Sequence, residues 1–272
     1  MKIYGIDFTS SPSKRKPITC LECELAGSTL TAGTLLEWPN FDDFEEALRK
    51  PGLWIAGIDF PFGQARRFIE TIGWPDTWEE YVKHAASLGR DGFVDALNAY
   101  RRVRAAGDKE HKRITDKLAH SISPQKLYGV PVGKMFYEGA PRLLESGVMV
   151  PGLHRGDPRR IVVEAYPGIL ARALIGRKSY KNDTRRKQTP ALHNARAEIL
   201  DKIKNGAVRQ HYDLKVSAPP SLADDPTGDS LDALLCAIQA AFAWKQRDNR
   251  YGEPANSDPL EGWIADPMPE IL

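Results

Sequence analysis

Polar and apolar positions alternate from Lys2 to Phe8, where isoleucine and aromatic residues are frequent, and the run ends at Thr9-Ser10-Ser11-Pro12. That pattern predicts a strand. Two further β-like runs, Pro17–Leu25 and Thr29–Leu36, flank Gly27-Ser28, so the chain should open with a three-stranded antiparallel meander. Asn40 is placed to cap a helix over Phe41–Lys50, in which Phe44, Ala47 and Leu48 recur at helical spacing and which Pro51-Gly52 stops. Leu53–Phe60 is apolar nearly throughout, the mark of a strand covered on both faces.

From Phe62 to Pro158 the pattern changes to short helices and loops rich in arginine, glycine and tryptophan, which reads as a helical insertion (62–158) within a single domain spanning 1–272. Trp74, Trp78 and Tyr81 recur at helical spacing and should form its small core. Ile161–Ala165 is another buried-type strand and Pro167–Ile175 a helix ended by Gly176. Thr189-Pro190 opens a helix that Gly206 closes, and Gly228-Asp229 starts the most apolar helix of the chain, running to Gln246. Glu261–Ala265 reads as an edge strand. A meander followed by strands alternating with helices gives an α/β fold, a mixed sheet with helices on both faces.

Composition sets the frame. With 272 residues, 42% hydrophobic and 27% charged, the chain can bury a large core. Its apolar runs fall short of the ~20 residues a membrane span needs, and the N-terminus opens on a strand without the features of a signal peptide. Cys20, Cys23 and Cys236 are an odd set in a chain of this size, which argues against a disulfide framework and for a reducing, cytoplasmic setting. Cys20 and Cys23 have zinc-knuckle spacing, but within a strand that separation points the thiols to opposite faces. The net charge of +2 is unremarkable, yet ten basic residues against three acidic ones fall between Arg155 and Lys187. Arg177, Lys178, Lys181, Arg185, Arg186 and Lys187 are the densest part of that run and are candidates to attract a polyanion; the plain alternative is a solvated surface.

The acids carry the chemistry. Asp7 in Gly5-Ile6-Asp7-Phe8, Asp59 in Gly57-Ile58-Asp59-Phe60-Pro61 and Glu164 in Val162-Val163-Glu164-Ala165 each lie near the C-terminal end of an apolar strand, where open α/β sheets place their ligands. Asp229 and Asp232, at i and i+3 in the late helix, share a face that continues through Ala233, Cys236, Ala240 and Ala243, so this helix can approach the sheet closely. Both also suit a capping role, Asp229 as N-cap and Asp232 in the first turn. Carboxylates without histidine or thiolate partners suit Mg²⁺ or Mn²⁺, and two such ions can activate a water and stabilise the leaving oxygen of a phosphodiester. Lys134, ending a near miss to a phosphate-binding loop, is a candidate to steady the phosphate.

The order acidic strand, meander, acidic strand, then a late helix with Asp-x-x-Asp-Ala-Leu resembles the ribonuclease H-like nucleases, whose Holliday-junction resolvases carry a similar aspartate pair on their last helix. More closely, Gly5-Ile6-Asp7, Ile58-Asp59-Phe60-Pro61, Glu164-Ala165-Tyr166-Pro167, Asp229–Leu234 and Glu261-Gly262-Trp263-Ile264 resemble, in that order, the prokaryotic family known as domain of unknown function 429, described as predicted nucleases. The resemblance implies a ribonuclease H-like fold and a metal site at Asp7, Asp59, Glu164, Asp229 and Asp232. The expected activity is metal-dependent hydrolysis of nucleic acid. Two other readings stand beside it. One is an actin-like ATP-dependent kinase, whose sheet is related and whose phosphate loop Asp7-Phe-Thr-Ser-Ser resembles, although Pro61 deprives the second loop of an N–H donor. The other is a non-catalytic nucleic-acid-binding module in which the acids only cap.

Overall fold

The computed structural model describes residues 1–182 and 184–267. The strands are β1 (Lys2–Asp7), β2 (Ile18–Ala26), β3 (Thr29–Trp38), β4 (Trp54–Ile58), β5 (Val148–Met149), β6 (Asp157–Glu164) and β7 (Lys215–Ser217). The helices are α1 (Phe41–Arg49), α2 (Arg66–Ile72), α3 (Trp78–Ser87), α4 (Gly89–Arg102), α5 (Ile114–Leu118), α6 (Val132–Ser146), α7 (Pro167–Ile175), α8 (Pro190–Lys204), α9 (Arg209–Tyr212) and α10 (Asp229–Lys245).

All seven strands join one sheet in the order β5-β6-β4-β1-β2-β3-β7. The meander β1-β2-β3 is antiparallel, whereas β4 pairs parallel to β1, and β6 to β4. This mixed α/β arrangement is consistent with the ribonuclease H-like expectation. Asn40 caps α1 as its sequence suggests, its side chain accepting from the Asp43 N–H at 2.9 Å. Two short strands escape the pattern: β5 and β7 are two and three residues long, too short for a period of two to register. Conversely, Glu261–Ala265 is not a strand but makes a single bridge, Ile264 to Glu164.

Side-chain parity divides the core. Ile3, Leu21, Ile55 and Ile161 face α7, α8 and α10, and Ile6, Ile58, Val162 and Phe60 face α1, α2, α3, α4 and α6. Trp74, Trp78 and Tyr81 are buried on that second side, where they join the core beneath the sheet and do not form a small core of their own. Cys20 and Cys23 point into opposite layers as free thiols.

Helix α10 is buried from Asp229 to Ala243. Its Leu231, Leu234, Leu235 and Ile238 are fully enclosed, each worth about 1.5–3 kcal/mol. Small residues on both sides let it lie directly on the sheet. A Cβ at Gly5 would fall 1.8 Å from the carbonyl oxygen of Ala233, and one at Gly57 2.5 Å from that of Cys236. No helix among the described residues is long and apolar enough to cross a membrane.

Candidate active site

Asp7 is the last residue of β1, on the same face as Ile3 and Gly5, and therefore points at the start of α10. Asp59 follows β4 directly; its N–H donates to the carbonyl of Ile6 at 3.0 Å, which continues the parallel ladder and sets the two aspartates side by side. Because Gly5 and Gly57 let α10 settle onto these strands, its first turn brings Asp229 and Asp232 to the same place. Asp7, Asp229 and Asp232 are buried, and Asp59 is partly exposed.

Burial pushes the Asp7 carboxyl well above the usual range; Lys181 opposes the shift, and Asp229, Asp232 and Asp59 add to it. Burial likewise lifts Asp59 to about 7, again against Lys181 and with Asp232 and Glu164 adding. Asp229 is raised too, chiefly by burial. The cation among them is Lys181, whose ammonium donates to Oδ2 of Asp232 while the Tyr180 hydroxyl donates to Oδ1 at 2.7 Å. Burial pulls the Lys181 pKa down, but Asp232, Asp7 and Asp59 outweigh it and hold it well above the usual lysine value. Lys16 lies near Asp229 and further offsets its charge.

A cleft of about 280 Å³ opens over this floor, with Asp59, Asp232 and Lys181 at its base and Tyr166, Ile122 and Val130 among its walls. Ile122 and Val130 are exposed apolar side chains, as is nearby Tyr128, whose ring lies 5.2 Å from the Arg101 guanidinium and 5.1 Å from the Lys126 ammonium. A larger groove of about 650 Å³ lies elsewhere, between α1 and the meander, and none of the strand-end acids lines it.

Glu164 lines the same cleft as Asp59 and Asp232 but is engaged by other partners. Register sets Glu164 opposite Ile58, one residue out of step with Asp59, so its side chain projects to the other face of the sheet. There it meets Arg113, which is 1% exposed and donates to its Oε1 at 2.5 Å and to its Oε2 at 2.7 Å, while the Phe62 N–H donates to Oε2 at 2.8 Å. Arg113 also binds Asp116 through two N–H groups at 2.8 and 2.9 Å. Glu261 completes the surround by accepting from the Arg66 and Ile114 N–H groups, each at 2.9 Å. Glu164, expected as a metal ligand, is thus paired to Arg113 in an ion-pair network that lines the cleft beside Asp59 and Asp232.

Lys134 stands apart from the cleft. Val132 and Met135 of α6 line it, and the helical rotation between them turns Lys134 off that face. The lysine that reaches the acids is Lys181, expected only as part of a basic surface. Of that run, Arg177, Lys178, Arg186 and Lys187 are exposed, with Lys178 paired to Glu198 at 2.8 Å. The Arg185 side chain lies outside the described residues. Asp229 is not the N-cap of α10: that position is Gly228, and the Ser230 N–H is capped by Asp225 at 2.9 Å.

The donor set is all oxygen and carries several negative charges, which suits a hard divalent cation. As folded, no three His, Cys, Asp or Glu side chains among the described residues stand in position to hold a metal ion, and the Lys181 ammonium supplies positive charge instead.

The sheet and the acids gathered beneath α10 define an α/β protein with a charged cleft at the carboxyl ends of its parallel strands. Residues 5–257 match the family described as "Protein of unknown function (DUF429)", and the chain belongs to that family. No curated protein and no solved structure matches it.

Proposed function

We propose that the protein is a divalent-metal-dependent phosphodiesterase acting on nucleic acid. The observation that carries this reading is the convergence of Asp7, Asp59, Asp229 and Asp232, from two adjacent parallel strands and one buried helix, with Asp59 and Asp232 lining an open cleft. Capping does not account for it, because Asp225 caps the helix and Asp7 and Asp59 cap nothing among the described residues. Those four aspartates would hold Mg²⁺ or Mn²⁺, which when bound activates a water and stabilises the leaving oxygen. Arg177, Arg186 and Lys187 offer exposed positive charge to phosphates, and the apolar rim of Ile122 and Val130 suits unpaired bases better than a sugar-phosphate backbone.

The test is incubation of the purified protein with Mn²⁺ and a panel of single-stranded, duplex and branched DNA and RNA, each alone. Cleavage that Asp7→Asn abolishes is expected. Cleavage indifferent to that substitution, or none on any substrate, would falsify the reading and favour a binding module.

A further inference from the structure

Lys181 is held against the acids by its own set of contacts. The carbonyl oxygen of Tyr180 accepts from the Arg196 guanidinium at 2.8 Å, and the same guanidinium donates to the carbonyl of Ala223 at 2.8 Å; Arg196 is 3% exposed. The segment between α7 and α8 is thus pinned to α8 immediately before the lysine. Gly228, ahead of α10, leaves room for the lysine stem: a Cβ there would lie 2.9 Å from the Lys181 Cβ. The ammonium then reaches Asp232, whose second oxygen is taken by Tyr180.

We propose that Lys181 is an internal counter-cation that competes with a divalent ion for the Asp7, Asp59, Asp229 and Asp232 cluster, so that loading metal requires the Lys181–Asp232 ion pair to open. This rests on the reading that the aspartates hold metal. The ammonium offsets part of the negative charge carried by the four clustered aspartates and so lets the site fold without an ion. A divalent ion brings twice that charge and needs the same Asp232 oxygen, and an ammonium left beside it would repel it. The lysine side chain is 35% exposed and flexible, so its head can withdraw into the cleft while the backbone at Tyr180 stays pinned. Lys181 is in this sense a positioning residue that sets how readily the site accepts metal.

Calorimetric titration with Mn²⁺ alone, on the wild type, Lys181→Met and Lys181→Arg, tests this. Lys181→Met should bind Mn²⁺ tighter than the wild type by at least about tenfold. Lys181→Arg should bind no tighter than the wild type. Without metal Lys181→Met should melt lower, and it should gain more in Tm on adding Mn²⁺. If the wild type binds and Lys181→Met binds no tighter, the competition is wrong while the metal site stands. If no protein of the three binds Mn²⁺, both ideas fall. Should Lys181→Met not fold, the wild type still decides the matter through the ¹⁵N resonance of the Lys181 ammonium. It should shift on titration with Mg²⁺ to calorimetric saturation, and an unmoved resonance overturns the proposal.

Discussion

Two groups of buried acids occupy the same end of the same sheet, on opposite faces, and their electrostatics differ. On one face Glu164 and Asp116 share Arg113 in short, two-point contacts, and Glu261 is bound by backbone N–H groups. On the other, Asp7, Asp59, Asp229 and Asp232 are offset by Lys181, with Lys16 beside Asp229. Burial of a carboxylate is therefore no sign of a site. What marks the aspartate group is that one ammonium, donating to Asp232, serves four aspartates, whereas Arg113 meets both of its acids in two-point contacts; residues of both groups line the cleft.

The comparison breaks most visibly at Arg113. Arg113→Met leaves Glu164 and Asp116 buried without their cation and should cost about 3–5 kcal/mol of stability in urea denaturation, because an unpaired buried charge keeps its full desolvation penalty. Asp59→Asn, which removes a charge from the overloaded face, should leave the metal-free protein as stable as before or more so. Equal losses from both substitutions would erase the distinction between the two faces.

Metal should act on one face only. An ion that binds the folded state stabilises it by about 2.7 kcal/mol at a hundredfold excess over its Kd, read as a rise in Tm. Mn²⁺ should raise the Tm of the wild type and of a conservative change in the Arg113 group, such as Asp116→Asn, but the rise should be largely lost in Asp59→Asn. The pH profile sharpens this. The folded Asp59 carboxyl, at about 7, holds its proton more tightly than an unfolded aspartate, so the metal-free protein should lose stability as pH rises from about 4 towards 7. Asp59→Asn should flatten that decline.

Asp266 provides an intermediate case, an acid bound by neutral donors alone: Gln239 donates to its Oδ2 at 2.5 Å and Tyr212 at 2.7 Å. Burial raises its carboxyl to about 6, against those hydrogen bonds. Its folded pKa also exceeds the unfolded one, so stability on the order of 2 kcal/mol should drain away between about pH 4 and 6. Asp266→Asn retains a carbonyl for Gln239 and Tyr212 and should show no such window, which melts across that range would reveal.

Much of this was legible in the sequence. Asp7, Asp59 and the Asp229/Asp232 pair stand at places where periodicity alone identifies strand ends and a helix start, and the small residues on α10 announce its close approach to Gly5 and Gly57. Glu164 misled because its strand looks like the other two. Which face an acid takes depends on register between strands, here Ile58 opposite Glu164, and a one-residue offset inverts it. Arg113 and Lys181 were hidden for another reason. Each comes from irregular chain remote in sequence from its acid partner, Arg113 from Glu164 and Lys181 from Asp232, so no local pattern joins them.

The smallest effect separates capping from chemistry within a single turn. Asp225 accepts from the Ser230 N–H at 2.9 Å and from the Thr227 N–H and hydroxyl at 2.9 and 2.7 Å, and despite its burial these donors hold its carboxyl below the usual range. Asp229, four residues on, is the first residue of α10 and caps nothing there; its carboxyl is raised instead. Asp225→Ala should therefore lower stability by about 1 kcal/mol, the ordinary worth of a helix cap, without changing the response to Mn²⁺. Asp229→Ala should cost less than that in the absence of metal, since it relieves repulsion as it removes favourable charge from the first turn, but should weaken the Mn²⁺-induced rise in Tm. The reverse result, a stability loss confined to Asp229→Ala and a metal response unchanged, would return Asp229 to the role of a cap and remove it from the site.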